Sequence, residues 1–306
     1  MIRVGVIGTG HLGTFHAQKY AELDGVELAG VCDIDEKKGI AVARDAGVAF
    51  FRDYRKLARI VDALSIAVPT ARHYEISRFC LGLGKHILVE KPITEKVWQA
   101  ERLIELAEKR NVILQVGHLE RFNPALKKIS RYVKKPGFIE AERISPFTDR
   151  STDIDVVLDL MIHDIDLILY FVNSTIVRVN AIGVPVMSDK VDIANARVLF
   201  KTGCVANITA SRVSMNRARK IRIFQEDGYF SIDFINRNIK VVRMIPSPDG
   251  TGRELTGELL ETEQGDPLLE EIGEYISSVR SGKRPRVSGY EGLEALKAAY
   301  KIIDKI

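Results

Sequence analysis

Cysteine is scarce here. Cys32, Cys80 and Cys204 are the only three in 306 residues; they are odd in number, far apart, and form no C-x-x-C pair. That excludes a disulfide framework and a thiolate zinc site, and leaves small buried apolar residues in a reducing compartment. A surplus of one charge is missing too. Lys+Arg 45 against Asp+Glu 41 leaves +4, too little to suggest a nucleic-acid partner, and no aromatic residues interleave the arginines. No bilayer span is present, because the most apolar helical stretch, LDLMIHDIDLILYFV (158–172), carries Asp159, His163, Asp164 and Asp166. The opening MIRVGVIGTG enters a strand at once and has no charged n-region followed by an apolar one, so a cytoplasmic protein is expected. Internal repeats and low-complexity segments are absent as well.

What is present suffices for a large core: 46% of residues are hydrophobic, and the length suggests two domains of ~150 residues. Strand-like runs IRVGVIG (2–8), ELAGVCD (27–33), ALSIAVP (63–69), HILVEK (86–91) and VILQVG (112–117) alternate with helical patterns near 11–23, 35–46, 53–59, 72–83 and 94–109. Such βαβ grammar predicts an α/β, doubly wound parallel sheet of the Rossmann type. After Gly117 the grammar changes. Helical stretches at 121–134 and 158–172 flank the strand FIEAERI (138–144), and 176–246 is nearly all strand with short turns at Lys201-Thr202-Gly203 and Asp227-Gly228. This predicts an α+β domain with an open, mainly antiparallel sheet covered by helices on one face. A second copy would cover the other face, so a homodimer or homotetramer is expected. The polar, Gly-rich stretch 247–265 reads as a loop, and helices near 267–281 and 289–305 close the chain.

Gly8, Gly10 and Gly13 stand in G-x-G-x-x-G order between the first strand and the first helix. The first permits a tight turn, the second lets backbone N–H groups approach a pyrophosphate, and the third allows close helix–strand packing. Asp33 ends the next strand, 20 residues past Gly13, where a carboxylate accepts hydrogen bonds from the adenosine ribose. It would repel a 2′-phosphate and no arginine follows closely, which favours NAD over NADP. A structural Gly-rich turn with a surface aspartate is the plainer alternative. The organisation expected is a dinucleotide-binding domain over 1–119, a substrate-binding and oligomerisation domain over 120–288, and a C-terminal helix, 289–306, packing back near the first.

LVEKPIT (88–94) breaks the strand pattern: an apolar run ends in Glu90, Lys91 and Pro92. Strand count places this at the carboxyl end of a central parallel strand, the edge where open α/β sheets bind ligands. A Glu-Lys pair at an arbitrary turn is a surface salt bridge. A lysine partly withdrawn from water at this edge can instead exchange a proton with a substrate hydroxyl, with Glu90 orienting the ammonium. In the helix 158–172, Asp159 and His163 are four apart and Asp166 follows three later, one stripe of a helix. A histidine there suits proton uptake as a carbinol loses hydride; a solvated polar face is the alternative. A metal at D-x-x-x-H lacks a third convergent ligand, so none is expected.

GTGHLG, Val68-Pro69 with His73 after it, EKP and DLMIHDID, in that order, resemble the Gfo/Idh/MocA oxidoreductases over the whole chain. The resemblance implies an NAD-dependent dehydrogenase acting on a sugar CH–OH group. Lys91 would contact both the nicotinamide ribose and the reacting hydroxyl, and the peptide bond before Pro92 is often cis. His163 becomes the leading general base, with Lys91 beside it and Asp159 binding or relaying. The loop residues His11 and Leu12, with Pro69, His73 and Glu90, fall on the cofactor side. His73 has a local structural role as its alternative, and for His11 and His118 the choice between cofactor and substrate stays open. Arg121-Phe122 with Pro124 matches the family's arginine-aromatic-proline, giving Arg121 and Asn123 to the substrate, with Arg121 able to fork onto an anionic group. GHLERFNPAL together with DLMIHDIDLILYF is most similar to the branch acting on UDP-N-acetylglucosamine, whose 3-keto product an aminotransferase converts to an amine. Arg212, Arg217, Arg219, Lys220 and Arg222 either help hold a diphosphate or guard an edge strand by charge. His16 reads as packed in the first helix and Trp98 as core. A free-sugar or polyol dehydrogenase, and a dinucleotide-binding regulator without turnover, are the alternatives.

Overall fold

The expected runs become β1 (Ile2–Ile7), β2 (Val26–Cys32), β4 (Ala63–Ile66), β5 (His86–Glu90) and β6 (Leu114–Gly117), with β3 (Ala49–Phe51) added, in a computed structural model that describes residues 1–148, 154–247, 252–261 and 265–306. All six are parallel, in the order β3-β2-β1-β4-β5-β6. The helices α1 (His11–Ala21), α2 (Glu36–Ala46), α3 (Tyr54–Ile60), α4 (His73–Gly82) and α5 (Val97–Arg110) supply the crossovers. Order reverses between β1 and β4, so the carboxyl ends of those strands form the switch point where ligands bind. The three-residue strand β3 was not expected; a run that short carries no readable period.

The remaining elements are α6 (Pro124–Ser130), β7 (Phe138–Ile144), α7 (Ile162–Val172), β8 (Ile176–Val184), β9 (Ile193–Phe200), β10 (Val205–Ser211), β11 (Ala218–Gln225), β12 (Gly228–Asp233), β13 (Asn238–Pro246), β14 (Arg253–Glu261), α8 (Pro267–Ser281) and α9 (Gly289–Ile303). The eight strands run β14-β13-β12-β11-β7-β10-β9-β8, antiparallel except for β7 beside β10. On β9 and β10 every second residue is buried, Ala194, Ala196, Val198, Ala206 and Ile208 among them, on the face that meets α7. The opposite face is polar, with Glu140, Asn207, Lys220 and Arg222 lining a hollow of about 600 Å³.

Two compact units result: Met1–Leu119 with Asp266–Leu296, and Glu120–Gly265 with Lys297–Ile306. The sequence grouped 120–288 together, whereas α8 belongs with the first unit because its Ile272, Tyr275 and Ile276 enter the same core as Val6, Tyr20 and Leu88. Three other expectations are corrected. Part of the expected loop 247–265 is the strand β14, paired with β13 through nine residues, while 248–251 and 262–264 lie outside the described residues. β11 is interior to its sheet, so its cations guard no edge; Arg222 pairs with Glu140 at 2.6 Å and Lys220 with Asp233 at 3.5 Å. Trp98 is 52% exposed and meets the Tyr74 ring edge-on. Among the described residues no helix is long and apolar enough to cross a membrane.

Candidate active site

The glycine loop is built around two close approaches. Gly8 adopts φ +94°, and a Cβ on Gly13 would lie 1.8 Å from the Gly8 carbonyl oxygen, so only glycine lets α1 start this near β1. Gly10 is different: a Cβ there would meet nothing within 4 Å. It is also the N-cap of α1 and supplies no side-chain cap, which leaves the first N–H groups of an 11-residue helix without a capping acceptor. These are the groups that an anionic pyrophosphate satisfies. Asp33 stands beside them. One carboxylate oxygen accepts from the Thr9 N–H (2.6 Å) and Thr9 Oγ1 (2.8 Å), the other from the Asp35 N–H (2.8 Å). Asp33 therefore fixes the loop while remaining half-buried with spare acceptor capacity. His11 and Leu12 are exposed at the start of α1, with His11 edge-on to Phe15 at 4.9 Å. The arrangement fits a dinucleotide.

β5 delivers the next group. Glu90 is buried, and Lys91 follows it half-buried at the strand end, with the Lys91–Pro92 peptide cis. His16 Nε2 lies 3.0 Å from Glu90 Oε1, His16 Nδ1 2.9 Å from Ser65 Oγ, and Tyr20 Oη 2.7 Å from the same hydroxyl. Burial pushes the Glu90 carboxyl upward, but His16 and then Lys91 outweigh it and hold the group below its ordinary range. His16 does more than pack in its helix. His73 sits between two carbonyls, Nδ1 2.8 Å from Pro92 O and Nε2 2.9 Å from Val68 O, and ties the segment before the exposed Pro69 to the turn after Lys91. Burial pushes its pKa down.

In the second unit, Asp159 lies in a π-helical turn, Val157–Met161, that runs directly into α7 with its half-buried His163. The wider turn replaces the uniform 3.6-residue stripe that the sequence predicted, and such turns concentrate at functional sites. The neighbours of His163 are anchored by buried ion pairs. Asp164 receives Arg143 through Nε and Nη2, both at 3.0 Å, and Arg143 Nη1 also reaches Glu120 at 3.2 Å. Asp166 receives Arg121 through Nε at 2.6 Å and Nη2 at 2.8 Å, and the guanidinium lies 4.4 Å from the Tyr170 ring centre. Asn123 caps α6, its Oδ1 accepting from the Ala125 N–H at 3.0 Å. Arg212 is likewise buried, donating to Asp192 at 2.7 Å.

Within the first unit the structure thus joins Gly8, Gly10, Gly13 and Asp33 through Thr9, and His73 with the Glu90–Pro92 turn; within the second it joins Arg121 with Asp166. Thr9, His16, Glu120, Arg143 and Asp164 were missed as supporting residues. Thr9 had one signal, its place inside the glycine loop. Nothing in the sequence marks the partners of the others.

The profile described as "Oxidoreductase family, NAD-binding Rossmann fold" matches residues 2–118, and that of the Gfo/Idh/MocA C-terminal domain matches residues 131–231. UDP-N-acetylglucosamine 3-dehydrogenase of Acidithiobacillus ferrooxidans is 37% identical, with 98% of this chain and 96% of that protein aligned. A solved structure of that enzyme matches with a TM-score of 0.94, covering 100% of this chain and 97% of its own. Myo-inositol 2-dehydrogenase of Thermotoga maritima is 30% identical over 98% of this chain and 94% of that protein.

Proposed function

We infer, since the chain belongs to the Gfo/Idh/MocA oxidoreductases, that it oxidises a sugar-nucleotide hydroxyl to a ketone with NAD, the substrate being UDP-N-acetylglucosamine at C3. The observation that carries the substrate is the likeness, over nearly all of both chains, to a protein named for that reaction. The dinucleotide part draws support from the uncapped start of α1, the open space at Gly10 and the adjoining Asp33.

In this reading the N–H groups at the start of α1 hold the pyrophosphate, and Asp33 accepts from the adenosine ribose hydroxyls. NAD, when bound, takes up the hydride leaving the carbinol carbon. Lys91 and His163 between them take the hydroxyl proton, Lys91 Nζ also binding the nicotinamide ribose, and Asp159 binds or relays. The Arg143–Asp164 and Arg121–Asp166 pairs hold α7, and with it the His163 backbone, in one position. The 3-ketone is a substrate for transamination, so an aminotransferase is the consumer this chemistry calls for. Exposed Val177 and Ile182 on β8, and Leu255 and Leu259 on β14, support self-association of the second unit, which light scattering of the full chain tests.

NADH absorbance after mixing protein, NAD and UDP-N-acetylglucosamine with a carbonyl trap tests the activity, with UDP-glucose, free N-acetylglucosamine and myo-inositol alongside. Signal with the first compound alone supports the reading. Lys91→Ala and His163→Ala should each lower kcat by roughly 10²–10⁴-fold while NADH still binds. One observation favours a second reading. The Arg121 fork that was expected to grip a diphosphate is engaged by Asp166, as a polyol dehydrogenase would permit. Turnover of myo-inositol without turnover of the sugar nucleotide decides for it.

A further inference from the structure

Beneath the strand end that carries Lys91, the first unit buries one more carboxyl group than it has partners for. Ser65 pairs with Leu88, Leu88 with Gln115, and Glu90 with Gly117 across β4, β5 and β6, so Ser65, Glu90 and Gln115 share one face of the sheet. Leu88 shares a core with Tyr20 of α1 and Ile272 and Tyr275 of α8. Glu90 is well served on this face. His16 bonds its Oε1, and Gly117 keeps the space over it clear, since a Cβ there would come 2.9 Å from Oε2.

Glu271 is not served. It is 0% exposed, and neither oxygen of its carboxyl has a hydrogen-bond partner among the described residues. Gln115 Nε2 donates to its backbone carbonyl at 3.1 Å, not to its carboxyl, and Gln115 Oε1 is itself left without a donor. Around it stand Tyr20 on α1, Glu90 on β5, Gln115 on β6 and Glu274 on α8; α1 also carries His16 and Lys19, and Asp266 caps α8. Lys19 is taken by Glu22 at 2.7 Å and Asp266 at 2.9 Å, Arg286 by Glu274 at 3.0 Å, and Tyr275 Oη donates to Leu64 O at 3.3 Å. Burial first, then Glu90 and Glu274, push Glu271 well above the usual carboxylate range.

We propose that Glu271 is a positioning residue for the reaction at Lys91: it stays protonated against Glu90, so that the two carboxyls carry one negative charge between them, held on Glu90 next to Lys91. Two carboxylates in one dry compartment do not both ionise readily. A second charge arriving on Glu271 would tighten the hold on the Lys91 ammonium and oppose its part in moving the hydroxyl proton. The proposal rests on Lys91 taking part in the reaction inferred above.

Two measurements on the full chain test it, with Glu271→Gln as the variant because it keeps shape and is permanently neutral. The infrared difference spectrum, wild type minus variant, near neutral pH should contain the carbonyl band of a protonated carboxylic acid. Its absence overturns the proposal. The alkaline limb of the kcat/KM profile with NAD and UDP-N-acetylglucosamine should shift to higher pH in the variant, which should be about tenfold faster one unit above the wild-type midpoint. Superimposed limbs would reduce Glu271 to a structural residue. If neither protein turns over, the substrate reading fails, and the pH dependence of NADH affinity decides instead: a difference between wild type and variant sustains the proposal, identity ends it.

Discussion

Replacing Asp166 with leucine takes the carboxylate away from a buried guanidinium. Arg121 is 7% exposed and Asp166 1%, and the arginine fork meets both carboxylate oxygens, at 2.6 and 2.8 Å. After the substitution the Asp166 backbone carbonyl, 3.1 Å from Nη2, and the Tyr170 ring remain, but two charge-assisted bonds are lost. Each such bond contributes roughly 1.5–3 kcal/mol, and removing one partner of a buried pair costs about 3–5 kcal/mol because the survivor stays buried and unpaired. For a unit of this size, ~2–4 °C per kcal/mol places the loss at roughly 6–20 °C in the melting of the second unit. Arg121→Met should do similar damage by removing the bidentate cation from the buried carboxylate. Arg121→Met with Asp166→Leu removes both charges and should return to within about 1 kcal/mol of wild type. Scanning calorimetry and urea unfolding of the four proteins measure this, and added salt should change little, since the pair is shielded from solvent ions. Single variants that each cost less than ~1 kcal/mol, or a double variant equal to the sum of the singles, would refute the reasoning.

The other predictions concern the loop and the acid limb. Gly10→Ala should melt like wild type but bind NADH at least about tenfold more weakly, whereas Gly13→Ala, whose Cβ would lie 1.8 Å from the Gly8 oxygen, should melt far lower or fail to fold; calorimetry and a fluorescence titration separate the two. Asp33→Asn should loosen the Thr9 loop and weaken NAD binding about tenfold or more, read by the same titration. Burial pushes Asp192 upward, but Ser188, Arg212 and the Val186 and Met187 N–H groups outweigh it and hold its carboxyl far below the ordinary 3.8. Its stabilisation is therefore complete above that ordinary value and is lost as pH falls through the lowered one. Asp192→Asn should accordingly be destabilised near neutral pH, and its deficit should shrink in melts below about pH 4. A constant deficit at every pH would contradict this.

The first sheet was legible because both kinds of period were strong: β1, β4 and β5 carry buried Val, Ile and Leu, and Gly8, Gly10, Gly13 and Asp33 sit where a βαβ unit needs them. β14 was not legible. RELTGELLE has no buried residue at all, so no apolar alternation marks it, and backbone pairing to β13 holds it as a strand. The charged residues were the harder failure. Arg121 and Arg222 look alike in a sequence, yet one is nearly sealed against Asp166 and the other half-exposed beside Glu140. Partners 45 residues apart, as Arg121 and Asp166 are, leave no local signal. Glu271 is the extreme case: in DPLLEEIGEY it reads as one acid of a solvated pair beside Glu270, and only tertiary packing reveals that it is enclosed.

The first unit is discontinuous, leaving off at Leu119 and resuming at Asp266, and this sets an order of events on the ribosome. A nascent chain that has released β1 to β6 still lacks α8, so the face bearing Val6 and Leu88 has no Tyr275 or Ile272 to cover it. At roughly 5–20 residues per second, synthesis of the intervening segment keeps that face waiting on the order of ten seconds. Closing so long a loop adds only a logarithmic entropy term, so the delay is kinetic and not thermodynamic. Chains stalled or truncated before residue 266 should consequently engage chaperones and resist proteolysis poorly, even though every residue of the nucleotide loop is already present.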